Sequence, residues 1–187
     1  MKMKSGHTRA RRQLQRHKTS GSMISIGRSR LEPDKLWAFV VKVGPELVLL
    51  MDVTDLSIDG FKIVRIEDIL TIERRGPEEW FEHILRSEGI VIDVRAPFEV
   101  SLANWKSAIA AIKNRSRHLI VECEEAEDPF IIGDVRHLNA RTLAIRYFDA
   151  VGDWELSDRV IPYSRITSVT FGDRYTALCG KYVREPD

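Results

Sequence analysis

From Ile24 onward the chain is built of short apolar runs rich in β-branched residues, each closed within a few positions by Gly, Pro or Asp. Runs of that length fit half-buried strands and are too brief for core helices, and the punctuating residues supply tight turns. Ile24 to Arg28, Leu36 to Val43, Leu47 to Val53, Phe61 to Ile66 and Ile69 to Glu73 read as strands. They are joined through Glu32-Pro33-Asp34-Lys35, Gly44-Pro45 and a polar hairpin holding Asp55, Asp59 and Gly60. The expected fold class is mainly β with two or three helices, an α+β arrangement.

The same scheme returns later. Leu119 to Glu124, Phe130 to His137, Leu143 to Phe148, Arg159 to Tyr163 and Ile166 to Phe171 read as a second set, with a last strand near Tyr175 to Gly180. Asp34-Lys35-Leu36-Trp37-Ala38 lines up with Asp128-Pro129-Phe130-Ile131-Ile132, and Val48-Leu49-Leu50 with Leu143-Ala144-Ile145. Val64 to Ile72 meets Ile161 to Val169, so the offset drifts only from 94 to 97 and the gaps fall in turns. A nearly constant offset of this kind is the signature of internal repetition.

Two helical patterns lie between the sets. Gly76-Pro77-Glu78-Glu79 opens the first, with Pro at an early position and acids at the positive end of the dipole. Trp80, Phe81, Ile84 and Leu85 then share a core-like face. The second begins near Ser101, an N-cap residue type, and places Trp105, Ala108, Ile109 and Ile112 at i, i+3, i+4 and i+7. Ile90 to Val94 is a β-like run with no assigned partner.

Charge is divided unevenly. Residues 1–30 hold nine of the 29 Lys and Arg and no acid, leaving 20 basic against 28 acidic residues and a net of −8 for 31–187. A basic arm can neutralise phosphates, and its low hydrophobicity predicts disorder. Thr19-Ser20-Gly21-Ser22 reads as a flexible joint, and Met23 just after it is an alternative start. No run approaches the roughly 20 apolar residues a bilayer demands, no secretory leader is evident, and Cys123 and Cys179 stand 56 positions apart outside any C-x-x-C. The expectation is a cytoplasmic protein without membrane contact or disulfides, its two thiols half-buried.

A helix followed by five short, bent strands is the order of Sm-like small barrels, and residues 101–182 resemble it. The helix is 101–114, Gly133 in Phe130-Ile131-Ile132-Gly133-Asp134-Val135 resembles the bending glycine of the second strand, and Ile166 to Asp173 resembles the fourth strand and its loop. Residues 24–76 are similar to a second copy without the leading helix. An SH3-like barrel shares this strand order. The resemblance implies tandem small barrels: 1–22 a disordered basic tail, 23–76 the first barrel repeat, 77–117 a helical connector with a short strand, and 118–187 the second repeat. The RNA pocket it implies needs an Asn after the second strand and an Arg-Gly pair after the fourth. Asn139 stands at the first place in the C-terminal copy, but Phe171 precedes Gly172; Arg75-Gly76 matches the pair in the N-terminal copy, where Gly44-Pro45-Glu46 offers no Asn.

Other constellations read as ordinary. Glu79 and His83 are a surface pair at i, i+4, Asp52, Asp55 and Asp59 lack calcium-loop alternation, and Glu122, Glu124, Glu125, Glu127 and Asp128 form a solvated turn. Trp37, Tyr147, Phe148, Trp154 and Tyr163 lie on or beside strands, where burial is the rule for aromatics. No nucleotide-binding, serine-hydrolase or zinc motif occurs, so neither cofactor nor metal is expected and the chain does not read as an enzyme. The reading is a non-catalytic module acting through barrel edges in protein-protein assembly, with a protein partner or self-association. The alternative is RNA binding, by Arg9, Arg11, Arg12, Arg16 and Lys18 of the arm with Arg74, Arg75 and Asn139.

Overall fold

A computed structural model describes residues 3–28, 32–123 and 129–184. Its strands are β1 (Met23–Arg28), β2 (Glu32–Val43), β3 (Leu47–Thr54), β4 (Ser57–Arg65), β5 (Thr71–Glu73), β6 (Leu119–Glu122), β7 (Phe130–Leu138), β8 (Thr142–Tyr147), β9 (Arg159–Pro162) and β10 (Ser168–Phe171). Its helices are α1 (Met3–Ser20), α2 (Gly76–Ser87), α3 (Trp105–Lys113) and α4 (Arg174–Tyr182). None is long and apolar enough to cross a membrane.

The mainly β class stands, but the ten strands form one open antiparallel sheet and not two closed barrels. Its order is β5-β1-β2-β3-β4-β10-β6-β7-β8-β9. Both five-strand sets therefore follow one order, fifth-first-second-third-fourth. Each second strand carries an irregularity at a matching place, between Val40 and Lys42 against β3 and between Val135 and His137 against β8. Each fourth strand ends in a single 3-10 turn, Ile66–Asp68 and Tyr163–Arg165.

The seam between the sets is β4 on β10, with Val64 opposite Ser168 and Phe61 opposite Phe171. Phe61 and Phe171 stack at 5.6 Å. One buried cluster runs across the seam: Phe39, Leu49 and Ile63 of the first set pack with Val121, Ile145, Val169 and Phe171 of the second, under Leu85 of α2 and Trp105, Ile109 and Ile112 of α3. The opposite face of the first set buries Ile24, Ile26, Ala38, Val40, Val48, Leu50 and Val64 beneath Ala10 and Leu14 of α1. Alternation along β2 explains the division, since successive residues face opposite sides. A core shared across the seam is why the sets do not close separately.

Polar groups are also sealed at the seam. Lys62 pairs with Glu122 at 3.2 Å, Ser168 donates its hydroxyl to the same carboxylate, and Arg28, 1% exposed, donates to the Thr167 carbonyl at 3.3 Å. Burial pushes the Glu122 carboxyl up, but Lys62, Ser168 and Arg28 together hold it below the ordinary carboxylate range.

Several expectations change here. The arm predicted to be disordered is helix α1. The strand predicted near Tyr175 to Gly180 is helix α4, because Asp173 caps it by accepting the Thr176 amide at 2.9 Å. Asp59, on β4, fastens that turn by accepting the Arg174 amide at 2.7 Å, so this aspartate serves turn structure. Helix α3 starts at Trp105 with Asn104 as its cap, later than Ser101. Trp80 is 60% exposed; α2 instead turns Phe81 onto Trp37 at 4.6 Å and buries Glu78 and Glu82. Residues 90–94 pair with no strand, although Ile90, Ile92 and Val94 rest against the core. Of the acidic run only Glu122 is among the described residues.

Gly133 is buried where β7 meets β8, and a Cβ there would stand 1.9 Å from the Arg146 carbonyl oxygen, which belongs to the backbone. Gly133→Ala is expected to cost about 1–3 kcal/mol by forced backbone shifts, measurable as a lowered urea midpoint with unchanged slope.

Candidate nucleic-acid interface

Helix α1 has little local reason to be stable. Its residues are mostly polar and its first turn holds no acid to meet the dipole. What orders it is tertiary: Leu14 is fully buried and Ala10 is 8% exposed, at i and i+4 against β2 and the turn at Ile66. His17 and Lys18 lie in the last turn, where cations suit the dipole. Gly21, at φ +61°, ends the helix in the left-handed conformation that favours glycine. Burial, then the charge of Arg74, pushes the His17 imidazole below its usual range, and His17 Nδ1 lies 3.0 Å from the Ser22 hydroxyl. Leu14→Ala is expected to cost about 2–3 kcal/mol and to raise amide exchange throughout α1 before the sheet opens.

With Ala10 and Leu14 turned inward, Arg9, Arg12 and Arg16 fall at i, i+3 and i+7 on the outward face. They line a shallow groove of ≈520 Å³ with Thr8 and Gln13. Arg11 and Lys18 flank the buried stripe and are also exposed. Among the described residues none of these five cations has a carboxylate partner. Elsewhere pairing is the habit: Arg65 with Asp68, Arg86 with Glu82, Arg95 with Asp93, Arg159 with Glu155 and Arg184 with Asp153.

The remaining expected RNA contacts do not converge. Arg74 is committed to structure, donating to the Met23 carbonyl at 2.9 Å and to Glu82 at 2.8 Å. Its neighbour Arg75 is exposed and follows β5 at one border of the sheet, its amide held by Glu78 at 2.8 Å. Asn139 lies in the β7–β8 turn of the other set, bracing Thr142 and accepting the Tyr163 hydroxyl at 3.3 Å through its carbonyl. Glu79 and His83 form no pair: Glu79 faces Arg74 at 3.8 Å and His83 lies 3.5 Å from the Ser87 hydroxyl. Among the described residues no three His, Cys, Asp or Glu side chains converge as metal ligands. What sequence reading misses is the helical face itself, for which Ala10 and Leu14 at i and i+4 are the available signal.

No protein-family profile matches the chain, and no solved structure matches it. Part of it is similar to proteins named tRNA uridine(34) hydroxylase. Those of Rickettsia rickettsii strains Sheila Smith and Iowa and of Rickettsia massiliae strain Mtu5 are each 39% identical over 62 residues. The match covers 33% of this chain and 22% of each relative, so the chain spans well under a third of their length. That similarity, to proteins named as tRNA-modifying enzymes, corrects the expectation of a non-catalytic module working through barrel edges, and with it the exclusion of an enzyme.

Proposed function

We propose that the chain is the RNA-engaging part of a tRNA-modifying enzyme, with the outward face of α1 as its phosphate-binding surface. The observation that carries this is the set of five exposed cations that have no carboxylate partner among the described residues, on a helix anchored by Leu14. Guanidinium groups suit phosphate because their planar fork donates two parallel hydrogen bonds. Residues 31–187 carry a net charge of −8, so positive potential concentrates on the N-terminal arm and steers a polyanion toward α1. Partial similarity to tRNA uridine(34) hydroxylases supports tRNA as the RNA to try first.

Each five-strand set is read as a copy of the Sm-like or SH3-like strand order, left open and joined to the other through the β4–β10 seam. The shared strand order, the matching irregularities in β2 and β7 and the paired 3-10 turns support this. The RNA surface proposed here does not use that family's pocket, whose two halves fall on Arg75 and Asn139.

The test is retention of tRNA by the full chain in a gel-shift assay at low salt. Binding that disappears as salt rises, and that Arg9, Arg12 and Arg16 control, fits the proposal. A chain that leaves tRNA unretarded at about 50 mM salt refutes it.

A further inference from the structure

The second set carries an aromatic-walled cavity of ≈470 Å³ between the sheet and α4. That volume lies in the range of small-ligand sites. Its walls include Phe130, Tyr147, Phe148, Tyr175, Leu178 and Tyr182. Four of the six remain open to a visitor: Phe130 is 40% exposed, Tyr175 53%, Leu178 46% and Tyr182 71%. Phe130, Tyr175 and Tyr147 are braced by their neighbours. Phe130 and Tyr175 meet edge to face at 6.0 Å. The Arg159 guanidinium covers the Tyr147 ring at 4.1 Å and is itself fixed by both Glu155 oxygens at 2.9 and 2.5 Å.

Charge around the cavity is mixed: Asp149 lies in its wall, its carboxylate accepting the Val151 and Asp153 amides at 3.0 and 2.9 Å. Arg159 and Arg184 are neutralised by Glu155 and Asp153. Arg174 and Lys181, at i and i+7 on α4 with Leu178 between them, have no carboxylate partner among the described residues. Lys181 Nζ lies 5.2 Å from the Tyr182 ring centre. A partly exposed aromatic cavity, with Arg174 and Lys181 on the helix that forms one of its walls, is complementary to a ring that carries a phosphate.

We infer that this cavity holds one unstacked base of an RNA strand, with Arg174 and Lys181 taking the adjoining phosphates. The inference rests on the RNA reading above and adds a second, base-contacting site to the phosphate surface of α1. Single-stranded RNA is recognised by splaying bases onto aromatic side chains, and the contact tolerates any base because every base has a π face.

The experiment uses the full chain and a single-stranded oligouridine carrying 4-thiouridine, with crosslinks mapped by mass spectrometry. Crosslinks are expected at Phe130, Tyr147, Tyr175 or Tyr182. Leu178→Trp, which fills the slot from a half-exposed position, is expected to lower their yield at least about 10-fold, as expected for loss of a base-aromatic stack, while salt-dependent retention through α1 changes little. Tyr175→Ala, which removes a wall instead of filling the space, is expected to lower it in the same way. Retention through α1 with crosslinks only outside the cavity, or with a yield unchanged in both variants, overturns this inference and leaves the α1 reading intact. If the oligonucleotide is not retained at all, the α1 reading fails, and calorimetric titration with uridine monophosphate decides the cavity alone. Binding abolished by Leu178→Trp keeps it as a nucleotide site, and no binding ends it.

Discussion

Replacing Arg9, Arg12 and Arg16 together with alanine should weaken tRNA binding about 100-fold at low salt, since removing each charged hydrogen bond to phosphate lowers affinity several-fold. The variant should fold as the parent does, because all three side chains lie on the outward face and the anchoring residues Ala10 and Leu14 are untouched. Alanine also favours the helix intrinsically, so weaker binding cannot be ascribed to melting of α1. The slope of log K against log salt should fall by about 2, at roughly 0.7 for each phosphate no longer neutralised on a single strand. Arg75→Ala, a control on an exposed arginine outside α1, should leave both quantities nearly unchanged. Competition gel shifts at matched salt read out the three proteins side by side.

Glu122→Ala should be the most damaging single substitution outside the apolar core, at about 3–5 kcal/mol. The mutation leaves Lys62, whose side chain is 11% exposed, without the carboxylate that pairs with it at 3.2 Å. It also removes the acceptor of the Ser168 hydroxyl on β10, so the damage falls on the seam that joins the two strand sets. For a chain of this size the melting temperature should drop by about 10 °C. Glu122→Gln keeps an acceptor for Ser168 and should cost less. The pH dependence has a definite sign. Because the Glu122 carboxyl sits below its ordinary value of 4.5 when folded, it contributes stability that is complete above that pH and is lost as pH falls through the folded value. Glu122→Gln should therefore flatten the acid limb of the stability profile below about pH 4.5. Denaturant melts between about pH 3 and 7 on both proteins measure this.

Most strands are legible in the sequence because each is a short β-branched run bounded by a turn. Repetition is legible too, since the residues that set a strand's faces recur at a nearly fixed offset. The path of the sheet is not. Alternation says which side of a strand is apolar but not which edge meets which, and the β4–β10 seam joins residues about a hundred positions apart. Helix α1 escapes a sequence reading because only Ala10 and Leu14 mark its buried side, and a helix held by two side chains looks like a polar tail when composition is averaged. Tyr175 to Gly180 reads as a strand because its aromatic and apolar content suits a pleated surface. The deciding residues lie outside that run: Asp173 caps the helix and Asp59 ties its first turn to a distant hairpin.

The expected RNA residues divide along the same line. Charge density at the N-terminus is plain in the sequence, and it locates Arg9, Arg11, Arg12, Arg16 and Lys18. Whether a cation is available is not plain, because that depends on partners brought in by folding. Arg74 lies beside exposed Arg75 in sequence, yet it is spent on Glu82 and the Met23 carbonyl.

The most direct measurement is the affinity of the full chain for tRNA across a salt series from about 50 to 300 mM. Neutralising about three to five phosphates on α1 predicts a linear plot of log K against log salt with a slope of about −2 to −3.5. A flat plot, or no binding at the lowest salt, would contradict a phosphate-binding role for α1.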